Sequence, residues 1–293
     1  MNGPTIVAEI GCNHQGDLEI AKEMVQTAAT FCKVDYVKFQ KRCVKELLTS
    51  EEYDAPHPAP LHSYGRTYGE HREYLEFTID EHRELLEWCK RHDVGYSTSV
   101  WDPTSAREAV ELSPHHIKIP SACNLDFRIL QYLATGFAGE IHISLGMTTP
   151  EEEHAIVRFI EREGAADRVV LYACTSGYPV PFEQLCLREI ARLRNEYGDR
   201  VKAIGFSGHH LGIAADVAAV TLGASWIERH FTLDRTWKGT DHAASLEPDG
   251  FRRLVRDVRA VSRALTAKDR SILEIEEAQR RKLKRLPGVH FSP

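Results

Sequence analysis

Short apolar runs alternate along this chain with stretches whose apolar residues recur three and four positions apart, and the alternation predicts strands followed by amphipathic helices. Residues 5–10 make a β-branched run broken by Glu9. Asp17 then opens a helix that puts Ile20, Ala21, Met24, Val25 and Ala28 on one face. Residues 36–39 form a second strand, unusual in carrying Lys38 and in leading directly to Gln40. Thr78 and Glu81 make a capping box ahead of a helix over 79–91. The rhythm is regular from there. Strands over 95–99, 116–119, 140–145, 168–173, 202–206 and 224–228 are followed in turn by helices over 103–112, 125–134, 150–163, 182–197, 213–222 and 249–265. Residues 271–286 read as one more helix, and 287–293 as a loose tail.

Eight strand-helix units at this spacing predict an α/β fold, a closed (β/α)8 TIM barrel over residues 1–270, with 271–293 as a C-terminal helix and tail. The rival, a doubly wound open sheet, lacks its Gly-rich dinucleotide fingerprint after the first strand. The pattern lapses only over 41–77. There the segment 54–70 is rich in Pro, Gly, His and Tyr, and Tyr53, Tyr64 and Tyr68, with Arg66 between the last two, read as a binding lid.

Composition narrows the classes. A formal charge of -6 and a pI near 6.2 argue against a nucleic-acid partner, and the one basic run, 280–285, reads as a solvated helix end. No stretch approaches the roughly 18 apolar residues of a membrane span, and the amino terminus has no signal-peptide layout, so a cytoplasmic protein is expected. The seven cysteines are scattered without CxxC spacing and read mainly as reduced core residues.

In such a barrel, chemistry belongs at the carboxyl ends of the strands. Those ends supply Glu9, Lys38 with Gln40, Thr98, Lys118 with Ser121, Ser144, Thr175 with Ser176 and Tyr178, Ser207 with His209, and Glu228 with His230. Lysines neutralise phosphate or carboxylate and hydroxyls complete the hydrogen bonds, so the set describes an anion site. His209 and His230 on neighbouring strand ends, with Glu9, Glu228 and Asp241 as further ligands, partners or bases, describe an adjoining metal site. Two imidazoles with oxygen ligands and water suit Mn2+ or another first-row divalent ion better than a closed structural zinc. His14 is expected on the same face, and His210 and His242 in supporting positions.

The pieces VAEIGCNHQGDLEIAKEM, VKFQ, YSTSVWD, IKIPSACN, ISLGM, CTSGYPVP, GFSGHH and IERHFTLDRTWKGTDHAASLEPD fall in that order over residues 7–249. On them the chain resembles the sialic acid synthases, the N-acetylneuraminate synthase group. The resemblance implies condensation of phosphoenolpyruvate with an open-chain N-acylated amino sugar, similar to N-acetylmannosamine, giving a nonulosonic acid and phosphate. It implies that Lys38, Thr98, Lys118, Ser121, Ser144 and Ser207 hold phosphoenolpyruvate and that His209 and His230 bind the divalent metal. Glu9, Tyr178 and Asp241 would contact the sugar, and Glu228 would sit beside the metal and the reacting atoms, making Glu9, Glu228, His230 and Asp241 the catalytic set. A homodimer is implied as well. Ser176 stands where many members have Asn, which alters one anion contact, and Gly208 stands where Asp is frequent. The family's antifreeze-like domain is not expected after this barrel, and the arginine it would supply is expected to be replaced locally, with Arg66 as the candidate. Two other classes stay open: an aldolase forming a Schiff base on Lys118 or Lys38, and a barrel that only binds sugars or anions.

Overall fold

The computed structural model describes residues 3–269 and 271–285. Its centre is one closed barrel of eight parallel strands in sequential order. The strands are β1 (Thr5–Gly11), β2 (Tyr36–Lys41), β3 (Gly95–Val100), β4 (His116–Ile119), β5 (Glu140–Ser144), β6 (Val169–Cys174), β7 (Ala203–Gly208) and β8 (Trp226–His230), and β1 closes the ring against β8. This is the TIM barrel expected from the alternation. The predicted eighth strand, 224–228, lies two residues later, because Ala224 and Ser225 belong to the turn that enters it.

The helices are α1 (Leu18–Thr27), α2 (Val44–Leu47), α3 (Ser50–Asp54), α4 (Tyr68–Leu75), α5 (Ile79–Arg91), α6 (Pro103–Glu111), α7 (Phe127–Gly136), α8 (Pro150–Arg162), α9 (Arg188–Tyr197), α10 (Ala214–Thr221), α11 (Pro248–Ala264) and α12 (Glu274–Leu283). Local chemistry sets their starts. The Asp17 carboxylate accepts from the backbone N–H groups of Glu19 and Ile20, and Thr78 and Glu81 close the expected capping box at α5. The stretch 41–77 is more helical than its pattern showed, holding α2, α3 and α4, each too short to develop a clear 3.6-residue period. Helix α12 forms where a last helix was expected and is exposed along nearly its whole length; the expected tail, 287–293, lies outside the described residues.

Every strand uses its two faces differently. One parity carries Ile6, Ala8, Val37, Phe39, Ile117, Ile119, Ile141, Ile143, Leu171, Ile204, Phe206 and Ile227, which pack outward against the helices as the main core. The opposite parity faces the barrel axis. Near the amino ends of the strands it forms a small apolar plug of Val7, Val170, Tyr172 and Trp226, backed by Tyr36. Above the plug it turns polar, with Lys38, Lys118 and Glu228 instead of the branched aliphatics that usually fill such barrels. A charged layer inside a barrel costs desolvation unless its members pair, and here they do.

Candidate active site

Above the plug, a cavity of about 430 Å³ opens at the carboxyl ends of the strands. Strand register explains which residues share it. Glu9 lies opposite Lys38 on one side and His230 on the other, and Ser99 lies opposite both Gln40 and Lys118. Residues directly across a ladder point to the same face, so these side chains converge without any special loop. Of the expected residues, Glu9, Lys38, Lys118, Ser121, Ser144, Ser176, Tyr178, Ser207, His209, Glu228, His230 and Asp241 line this one cavity.

The floor is an alternating charge network. Lys118 Nζ lies 3.4 Å from both carboxylate oxygens of Glu228 and 3.3 Å from the centre of the Tyr172 ring. Lys38 pairs closely with Glu9 and stands 3.8 Å from Glu228. Ser207 Oγ donates to Glu228 at 3.2 Å. Burial alone would push the Glu228 carboxyl up, but Lys118, Lys38 and His230 overcome it and hold the group below the ordinary carboxylate range. Burial likewise disfavours the Lys38 ammonium, yet Glu228 and Glu9 raise its pKa. For Lys118, burial prevails over the pull of Glu228, and its pKa falls.

The wall beside β7 and β8 holds the histidines, with ring centres 5.4 Å apart. His209 Nδ1 sits 3.0 Å from the Thr175 carbonyl, so Nδ1 carries the proton and Nε2 keeps its lone pair. Burial and the neighbouring His230 push the His209 pKa down to about 3, which keeps the ring neutral. His230 Nδ1 is buried with no hydrogen-bond partner, and Asp241 Oδ2 is 3.9 Å away. Among the described residues, no group of three or more His, Cys, Asp and Glu side chains forms a ready-made metal cage. The pair nevertheless fits an open divalent site. One ring is fixed through its other nitrogen by a backbone carbonyl, the usual arrangement for a ligating histidine, and the second keeps an unpartnered buried nitrogen. The Tyr178 ring closes this wall, 4.4 Å from His209 and 5.9 Å from His230.

Three expected residues are elsewhere. Thr98 lies opposite Phe39 and Ile117, both members of the outer core, so it faces the helices; its neighbour Ser99 faces the cavity. A one-residue error in register reverses the face, and the sequence run TSV does not mark which hydroxyl points inward. Arg66 is 94% exposed, pairs loosely with Glu70 at 3.8 Å, and does not line the cavity. The arginine that reaches the cavity from this part of the chain is Arg72 of α4, two residues past the expected lid, joined there by Arg42, which follows β2. His14 is also displaced from the expected face: it is buried against Phe77, with ring centres 4.0 Å apart. His210 points outward to Arg229, and His242 bonds Thr232 at 2.8 Å.

Ser99, Trp101, Thr240, Arg42 and Arg72 are cavity residues that the sequence pattern does not single out, and Cys174, at the end of β6, lines the cavity with them. Period-2 parity with Gln40 and Lys118 would have identified Ser99. Arg42 lies just past a strand that already supplies Lys38 and Gln40, and its guanidinium sits 4.1 Å from the centre of the Trp101 ring and 3.0 Å from Glu76 Oε1. Nothing local distinguishes Arg72 from Arg66. The path of the chain decides between them: Tyr64 bonds Gln15 at 2.9 Å and stacks on Tyr74 at 5.0 Å, folding the segment so that α4 presents Arg72 to the cavity.

A sequence profile described as the NeuB family matches residues 24–270. Over 278 residues the chain is 38% identical to N-acetylneuraminate-9-phosphate synthase of Homo sapiens, covering 95% of this chain and 76% of that protein. It is 31% identical over 266 residues to the N,N'-diacetyllegionaminic acid synthase of Campylobacter jejuni, covering 90% of this chain and 78% of that one. Among solved structures, it superimposes with a TM-score of 0.80 and 26% identity on an N-acetylneuraminic acid (sialic acid) synthetase from Leptospira borgpetersenii crystallised with citrate, covering 97% of this chain and 94% of the other.

Proposed function

The chain belongs to the NeuB family, and from that premise we propose that it is a metal-dependent synthase condensing phosphoenolpyruvate with an open-chain N-acylated amino sugar. The products are a nonulosonic acid and phosphate. One observation carries the reading: two buried lysines, each paired with a buried carboxylate, lie in the same cavity as a pair of adjacent histidines. Anion binding and carbonyl chemistry thereby share one site.

Lys38, Lys118, Ser99, Ser121, Ser144, Ser176 and Ser207 hold the phosphate and carboxylate of phosphoenolpyruvate by charge and hydrogen bonds. Glu9, Tyr178 and Asp241 position the sugar so that its aldehyde carbon faces the methylene carbon of phosphoenolpyruvate. That carbon attacks, a carbon-carbon bond forms, and the aldehyde oxygen takes up a proton. Water then adds to the electron-poor carbon bearing the phosphate, and loss of phosphate leaves the 2-keto acid. Glu228, held ionised by its two lysines, stabilises the positive charge on that carbon and is placed to accept a proton from the water. His209 and His230 would hold a divalent ion, probed first with Mn2+, which supplies Lewis-acid polarisation of the aldehyde oxygen. The protein acts in the cytoplasm as a homodimer, residues 1–270 form its catalytic domain, and 271–293 follow as a C-terminal extension.

The test is phosphate release from phosphoenolpyruvate with a panel of N-acylated amino sugars, with and without chelator and added Mn2+. Release that requires both a sugar and the metal is expected; no release with any sugar would sink the reading. The Schiff-base alternative has one supporting observation, the lowered pKa of Lys118, whereas Lys38 is kept protonated by Glu9 and Glu228. Borohydride treatment in the presence of pyruvate decides it, since a covalent adduct on Lys118 would favour the aldolase.

A further inference from the structure

The cations of the cavity are unequally engaged. Lys38 is paired with Glu9, Lys118 with Glu228 and Arg42 with Glu76. Arg72 is the exception among the described residues: no carboxylate lies within ion-pair distance, and its guanidinium is steadied only by the neutral Tyr68 phenol, at 3.0 Å from Nε and 2.6 Å from one terminal nitrogen. The ring of Tyr68 also lies under it, 4.9 Å from the guanidinium carbon. Arg72 is half-buried and already held on the cavity wall, so an incoming anion meets a fork whose orientation is largely settled. It stands on the Asp241 side, where burial pushes the Asp241 carboxyl up and His230, Thr240, Arg72 and Arg42 together hold it down. The lysines and most of the cavity hydroxyls form a separate group at the floor and the opposite strand ends.

Resting on the condensation reading, we infer that Arg72 binds an anionic group at the far end of the amino sugar, so that the acceptor is a phosphorylated N-acylated amino sugar, and that Tyr68 positions the guanidinium. Phosphoenolpyruvate fills the lysine end of the cavity, leaving Arg72 for the second substrate. A planar guanidinium free of carboxylates suits a phosphate dianion by two parallel N–H···O bonds, and a neutral hydroxyl would leave most of its charge unused. Asp241 nearby disfavours a second phosphate deeper in the sugar site and leaves the rim for it.

The experiment compares N-acetylmannosamine with its 6-phosphate as acceptors for the wild type, Arg72→Ala, Arg72→Lys and Arg66→Ala, with Mn2+ present and phosphoenolpyruvate varied separately. The phosphorylated sugar is expected to be preferred by the wild type, and Arg72→Ala to raise its KM about 10- to 100-fold, the worth of a charge-assisted hydrogen bond. KM for the neutral sugar and for phosphoenolpyruvate should stay put, Arg72→Lys should recover part of the loss, and the exposed Arg66→Ala should behave as wild type. An equal effect of Arg72→Ala on both sugars, or a rise in the phosphoenolpyruvate KM instead, overturns the inference and leaves the condensation reading standing. No phosphate release by the wild type with either sugar overturns both.

Discussion

Ser99 and Thr98 are adjacent hydroxyl residues at one strand end, and the barrel assigns them opposite duties. Thr98 Oγ1 donates to the Ser99 carbonyl at 3.4 Å and faces the helices, while Ser99 Oγ accepts from Trp101 Nε1 at 3.3 Å and faces the cavity. Ser99→Ala is therefore expected to lower kcat/KM about tenfold, one hydrogen bond's worth to a charged substrate. Thr98→Val should leave kcat/KM unchanged. Steady-state kinetics of the two variants check the assignment, and the reverse ranking would mean that β3 meets substrate through its other face. The pair also shows the limit of reading residues singly. Lys38, Lys118, Glu228 and His230 are legible in the sequence because a charged or titratable residue inside an apolar strand is costly to bury unless a partner or a ligand meets it. A hydroxyl is tolerated on either face, so the two differ only by register with Gln40 and Lys118.

At the scale of elements, β8 serves two sides. Its inward residues, Glu228 and His230, belong to the cavity, while Arg229 between them is fully buried on the outer face against α10. There its guanidinium bonds Asp216 of α10 at 2.5 Å, the Gly212 carbonyl at 2.9 Å and His210 Nε2 at 3.0 Å. The pair ties the loop after His209 and the helix behind it to the strand that carries His230. Removing one partner strands the other charge in the core, so Arg229→Met is expected to cost about 3–5 kcal/mol in denaturant unfolding. The double variant Arg229→Met, Asp216→Leu should recover most of that loss in stability, because two apolar side chains can replace a buried ion pair. A single variant as stable as the wild type would mean that the network contributes little. From the sequence, α10 reads as an Ala/Val-rich helix squeezed between layers. Its packing is legible there, but the partner of Asp216 is not, since Arg229 lies thirteen positions away behind an intervening strand turn.

For the whole molecule, the alternation of strands and helices makes the barrel legible, because each of its eight units repeats the same two periods. The lid path is not legible, because aromatic contacts such as Tyr64 on Tyr74 set it rather than a period, and so the sequence points to Arg66 where Arg72 stands. The histidines are only half legible. Their number invites a reading as ligands, yet several are core residues kept neutral. Burial lowers the pKa of His14 and His82 to about 3 and of His71 to about 4, and pushes His116 and His142 well below the ordinary value of 6.5. His82 sits 2.8 Å from the Tyr96 hydroxyl, and His142 lies 3.0 Å from Tyr172, stacked 4.0 Å from His116 in the barrel interior. Above about pH 6.5 these rings are neutral in the folded and the unfolded chain alike, so the fold keeps its full stability there. As pH falls below that, the unfolded chain takes up protons that the folded one refuses, and stability drops until the folded pKa near 3 is reached. At pH 5 His14 and His82 are each expected to cost about 2 kcal/mol relative to pH 7.5, with the others adding to it. Urea midpoints at pH 7.5, 6 and 5 measure the slope, and His82→Gln should flatten it by the share of one proton. A midpoint that does not move between pH 7.5 and 5 would show that these histidines are not held neutral, and that the barrel interior admits water or charge more freely than its packing implies.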